Sequence, residues 1–118
     1  MTQESEYSGA GREFLSKAFE ELAQGDLRQA SEKGWGAAAQ MVKAVAERRG
    51  WEHNGHAFLF EAVRRVVNET RDTRVGELFH IANSLHINFY ENWLPEDLVR
   101  SGLDNVNELV ERLEQVLN

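Results

Sequence analysis

Apolar residues recur along this chain at spacings of three and four, the period that places side chains on one face of an α-helix, and five such runs are separated by short polar stretches. The pattern predicts helices over about 8–24, 26–49, 55–70, 73–92 and 95–117. The fold class expected is all-α, an antiparallel up-and-down four-helix bundle with a fifth C-terminal helix, in one domain covering 1–118.

The second run, GDLRQASEKGWGAAAQMVKAVAERRG, has the clearest boundaries. Asp26 suits an N-cap, Gln29 stands three positions on as in a capping box, and Gly50 supplies a left-handed exit. Ala30, Gly34, Ala37, Ala38, Met41, Val42 and Val45 form its buried stripe, so small side chains should let neighbouring helices approach closely. Phe14, Leu15, Ala18, Phe19 and Leu22 mark the core face of the first helix. After Gly50, WEHNGH reads as a turn, with Asn54 as cap of a third helix that ends near Thr70.

The fourth helix starts at Asp72 or Thr73 and turns Val75, Leu78, Phe79, Ala82, Leu85, Phe89 and Trp93 inward. Pro95 opens the fifth, where a missing N–H costs nothing, and Glu96 and Asp97 suit the positive end of the helix dipole. Its seam, Val99, Leu103, Val106, Val110, Leu113 and Leu117, is widened by Leu98, Leu109 and Val116. The width implies two helix neighbours or a second subunit. Ile81 and Ile87 lie off the main face of helix four and favour a homodimer, with shielding by helix one as the alternative.

Composition narrows the chemistry. With no cysteine, disulfides, thiolate metal sites and a cysteine nucleophile are excluded. No run approaches the ~20 apolar residues of a membrane span and the start MTQESEYSG lacks a secretory layout, so no membrane association and a cytoplasmic location are expected. The net charge of -7 is unevenly spread: residues 1–32 carry seven acids against three bases, and 91–118 seven against two. Residues 33–90 carry eight Lys or Arg against six acids and hold all four histidines. An anionic ligand would be met there, although acidic helices flanking a mixed-charge surface would give the same bias.

No phosphate-loop, dinucleotide, zincin or hydrolase motif is present. The glycines beside Trp35 sit mid-helix, where backbone N–H groups are engaged, and serve close packing better than phosphate binding. The densest polar cluster is LHINFYENWLPED: His86, Asn88, Tyr90, Glu91, Asn92 and Trp93. His86 falls on the face of Phe79, Phe89 and Trp93, and Tyr90 lies one turn on and can share a hydrogen bond with it. A His–Tyr–Glu network of this kind binds a ligand or moves a proton; equally, such a pair on an apolar face can simply satisfy itself. Trp93 is expected in the core, as a wall. His80 and His86, six apart, do not share a face, so no metal site is expected, and no cofactor. Lys33 and Lys43 differ by about 80° around the helix and 15 Å along it, too far to hold one phosphate together. Local ion pairs, Lys43 with Glu47 and Lys33 with neighbours beside Glu32, are the default for both. Arg48, Arg49, Arg64, Arg65, Arg71 and Arg74 gather at helix ends, where the dipole favours cations.

The helix-two residues Gly25, Asp26, Ala30, Glu32, Lys33, Trp35, Ala37, Val42, Lys43 and Ala44, followed by His56 and then LHINFYENW, resemble the HEPN (higher eukaryote and prokaryote nucleotide-binding) superfamily over about residues 12–117. The likeness is greatest to its small prokaryotic branch related to archaeal repeat-encoded proteins. The resemblance implies a helical bundle, commonly dimeric, that serves as substrate-binding partner of a nucleotidyltransferase or acts as a metal-independent ribonuclease of the toxin type. Catalytic members carry Arg-x4-6-His; Arg74 and His80 satisfy that spacing here, whereas no arginine stands four to seven residues before His86. The leading expectation is a non-catalytic module that dimerises and binds a nucleotide-like ligand, with RNA also possible, or docks on a nucleotidyltransferase. Lys33, Lys43, His86, Asn88, Tyr90, Glu91 and Trp93 are its candidate contacts. The alternatives are a ribonuclease using Arg74 with His80 or His86, and a purely structural homodimer.

Overall fold

The computed structural model describes residues 2–118, which form five helices: α1 (Gln3–Ala23), α2 (Leu27–Arg49), α3 (His56–Thr70), α4 (Thr73–Glu91) and α5 (Glu96–Leu117). The described residues contain no strand. α1 begins five residues before its expected start, because Thr2 and Ser5 cap each other: the Thr2 hydroxyl accepts from the Ser5 N–H at 3.0 Å, and the Ser5 hydroxyl from the Thr2 N–H at 3.2 Å. At α2, Asp26 accepts from the Gln29 N–H at 3.0 Å, yet the Gln29 amide does not reach back; its oxygen accepts from Lys33 Nζ instead. Gly50 exits with φ 73°, as a left-handed C-terminus requires.

α3 corrects the sequence reading at its start. Gly55 at φ 107°, not Asn54, occupies the cap position, and no side chain bonds the first turn. Asp72 caps α4, whose chain leaves through Asn92 in the left-handed region before Pro95 sets up α5.

α2 lies at the centre and touches every other helix. Its buried face is correspondingly broad, taking in Ser31, Trp35, Ala39, Ala44 and Ala46 beyond the expected stripe. Small side chains make this possible: a Cβ at Gly34 would stand 2.5 Å from Leu103 Cδ2 and 3.1 Å from Leu85 Cδ1, so α4 and α5 close on α2 only because that position is bare. α5 packs on α1, α2 and α4, and this enclosure buries Leu109 as well as the main seam, whereas Leu98 stays 49% exposed. The peripheral helix is α3, which touches only α2 and α4. Of the residues expected off the core, Ile81 is half-buried against it and Ile87 is 42% exposed.

Candidate functional site

The candidate side chains converge where α2, the start of α3 and the second half of α4 meet. Glu32 and Trp35, three apart, share one face of α2; Asn83, His86 and Tyr90, spaced by three and four, share one face of α4; His56 opens α3 between them. His86 Nδ1 lies 2.9 Å from Glu32 Oε1, with both side chains half-buried. His56 Nε2 lies 3.2 Å from Asn83 Oδ1. Each imidazole thus has one nitrogen fixed by a side-chain oxygen, which orients the ring and leaves the other nitrogen available. Trp35 is buried beneath both: its ring stacks on His56 with centroids 4.7 Å apart and planes 18° from parallel, and lies 5.1 Å from His86. The two histidine rings are 5.0 Å apart, and Tyr90 meets His86 edge-on at 5.4 Å.

Beside this cluster runs a groove of about 490 Å³ between α1, α2 and the start of α3. Trp35, Gly36, Ala39 and Leu59 form its floor with Phe14, and Glu32, Lys33, Gln40, Lys43, Gly55 and His56 supply its polar atoms. Lys33 Nζ bonds Gln29 Oε1 at 3.2 Å, and Lys43 Nζ lies 5.9 Å over the Tyr7 ring. The expected ion pairs are absent: Lys33 and Lys43 pair with no carboxylate among the described residues, and Glu47 bonds His53 Nε2 at 2.9 Å instead.

Several expected contacts belong elsewhere. Asn88 is fully buried and structural: its oxygen accepts from the N–H groups of Trp93 at 2.9 Å and Leu94 at 2.8 Å, and its amide donates to Ser31 Oγ at 2.9 Å. At about 100° per residue, Asn88 lies some 200° around α4 from His86, on the core side. Glu91 is exposed and makes no ion pair or hydrogen bond among the described side chains; the acid at His86 is Glu32. Trp93, two residues past the end of α4, is 65% exposed rather than a core wall. Tyr90 is 67% exposed and reaches His86 through its ring, not its hydroxyl.

The Arg74–His80 spacing brings nothing together. Arg74 turns to α5, with Nε 3.1 Å from Glu108 Oε2 and Nη2 3.1 Å from Asn105 Oδ1. His80 is exposed on the α3 side, its ring 5.8 Å from Phe60. Arg74, Glu108, Arg112 and Asp72 form an ion-pair network: Arg112 bonds Asp72 and Glu108, each at 2.8 Å. The Arg74 hydrogen bond, with that of Arg112, holds the Glu108 carboxyl below its ordinary range against a weaker opposing effect of burial. The other arginines are engaged largely in the same manner, Arg48 with Glu4, Arg49 with Glu69, and Arg64 and Arg65 with Glu61. Arg71, at φ 61°, ends α3.

Among known proteins, the sequence model of the archaeal PaREP1/PaREP8 family matches residues 7–110. A protein from Sulfolobus solfataricus, known from its crystal structure, superposes with a TM-score of 0.82 at 24% identity, over 92% of this chain and 97% of that one. At that identity the likeness shows a common fold. No curated protein matches the chain.

Proposed function

The chain belongs to the archaeal PaREP1/PaREP8 family, and from that footing we propose that it is a non-catalytic binding module of HEPN type that holds a nucleotide-like ligand in the groove along α2. The observation that carries this is the convergence of a Trp35–His56 stack and a Glu32–His86 pair on a groove whose two lysines have no carboxylate partner. A base would lie on the exposed face of His56, since aromatic stacking tolerates any base, while Lys33 or Lys43 meets phosphate. Of the seven contacts expected from sequence, Lys33, Lys43, His86 and Tyr90 remain in this reading, and Glu32, Trp35, His56 and Asn83 join them. α1, α2, α4 and α5 would be the antiparallel up-and-down four-helix bundle of that superfamily, with α3, rather than the expected C-terminal helix, as the fifth laid against it.

Self-association is part of the proposal. Ile87, Trp93 and Leu98 are 42%, 65% and 49% exposed near the α4–α5 junction, an apolar surface that a second copy or a nucleotidyltransferase could cover. Sedimentation of the parent and of Ile87→Asp tests it; a monomer at all concentrations removes the dimer. For the ligand, calorimetric titration with mono- and triphosphate nucleotides should give saturable heat that Trp35→Ala or His56→Ala abolishes. Heat indistinguishable from buffer mixing defeats the proposal.

One observation favours a second reading. Two imidazoles 5.0 Å apart, each with one nitrogen fixed, are the equipment of an acid–base pair, and a metal-independent ribonuclease would use His86 with His56 rather than with Arg74 or His80. RNA incubated in chelator should then be cut by the parent and not by His86→Ala or His56→Ala; cleavage unaffected by either substitution rules it out.

A further inference from the structure

Two lysines, Lys33 and Lys43, line the groove. Ten residues separate them, about 15 Å along α2 and about 80° around it. Their head groups are drawn apart as well: Lys33 reaches back toward the N-terminus of α2 to Gln29, while Lys43 lies over Tyr7 of α1. Between them the wall carries no charged side chain. Gln40, Trp35 and Ala39 carry no charge, and the one carboxylate lining the groove, Glu32, is engaged by His86.

Such a surface rewards anionic groups at both ends with planar rings between them. A mononucleotide satisfies one anchor and leaves the other idle. We propose that the ligand of this groove is a short single strand of nucleic acid that lays phosphates on both Lys33 and Lys43; this rests on the nucleotide reading above. At roughly 3.4 Å per stacked nucleotide, the 15 Å of rise between the two residues already spans between four and five phosphate-to-phosphate steps, and with the head groups drawn apart a strand that reaches both needs about six to eight nucleotides.

The test is a length series: AMP, ATP and oligoadenylates of two, four, eight and sixteen nucleotides, titrated against the full chain with tryptophan fluorescence as the readout. The octamer should bind about tenfold more tightly than AMP, and the longest strand within about twofold of the octamer; octamer affinity should fall with salt at a log–log slope near -1.4, as for two phosphates on a single strand. Lys33→Gln and Lys43→Gln, checked for unchanged helicity, should each halve that slope and return the octamer to mononucleotide affinity. AMP or ATP binding as tightly as the octamer refutes the two-anchor ligand while leaving the nucleotide reading intact. Octamer affinity unchanged in both lysine variants refutes it too, and an absence of binding across the series refutes both readings.

Discussion

Replacing Gly34 by alanine sets two opposed effects against each other at a position where the structure decides the sign. Glycine within a helix costs about 1 kcal/mol relative to alanine, so by propensity alone the change is stabilising. The added Cβ, however, would stand 2.5 Å from Leu103 Cδ2 and 3.1 Å from Leu85 Cδ1. Neither leucine can swing into solvent, since Leu103 is 0% and Leu85 1% exposed, and overpacking of this kind costs about 1–3 kcal/mol. Steric cost wins: Gly34→Ala should lose about 1 kcal/mol net, a drop of about 4 °C in Tm for a domain of this size. Gly36 is the control, because the nearest atom to its added Cβ is Phe14 Cγ at 3.5 Å, an ordinary contact, so Gly36→Ala should gain up to about 1 kcal/mol. Urea denaturation of both variants, and of Gly34→Ala in a Leu103→Ala background, completes the assay. There the nearest clashing atoms are gone and the same substitution should become less harmful or favourable, a coupling of 1 kcal/mol or so between touching residues. Should Gly34→Ala stabilise the parent as much as Gly36→Ala does, the close approach of α2 to α4 and α5 is wrong.

Asn88→Ala should cost about 2–4 kcal/mol in denaturant midpoint experiments, since it strips partners from Trp93 N–H, Leu94 N–H and Ser31 Oγ at once; nucleotide affinity unchanged under native conditions separates this role from ligand contact. Glu108 is held below its ordinary carboxylate range in the folded state, so its contribution is full above the unfolded value and lost as pH falls through the folded one. The Tm advantage of the parent over Glu108→Gln should therefore be flat near neutrality and vanish under acid; an advantage that grows on acidification contradicts the network. Thr2→Ala should cost about 1 kcal/mol in the first turn of α1, read as faster amide exchange there with slower-exchanging core amides unmoved.

Helix boundaries were legible wherever a local signal set them. Asp26, Gly50, Asp72 and Pro95 act through contacts within a few residues, and each stands where its chemistry predicts. Thr2 and Ser5 were equally local, a T-x-x-S box, but lay ahead of any apolar repeat that would have drawn attention to them. What the apolar pattern could not disclose was the sharing of faces. The wide seam of α5 is compatible with a second subunit or with several helices of the same chain, and its width alone does not say that three helices, α1, α2 and α4, bury most of it while Leu98 stays exposed.

The site was half legible for a related reason. Contiguity along LHINFYENW groups His86 with Asn88, Glu91 and Trp93, but a helix rotates about 100° per residue, so adjacent letters diverge. Applied to polar residues, the periodicity that located the core selects Asn83, His86 and Tyr90 on α4 and, independently, Glu32 and Trp35 on α2. Both sets were readable as faces. Their meeting was not, because the Glu32–His86 hydrogen bond joins residues 54 apart and depends on the close approach that Gly34 permits between α2 and α4. The bare position that brings Leu85 against α2 lies two residues from Glu32 and one from Trp35, while Leu85 adjoins His86. The packing contact and the polar pair are therefore neighbours on the same two helices, and a side chain that pushed α4 away at Gly34 would also lengthen the bond at Glu32. Stability and site geometry are coupled through that one glycine, so Gly34→Ala should weaken the ligand binding proposed for the groove as well as folding, whereas Asn88→Ala should affect folding alone.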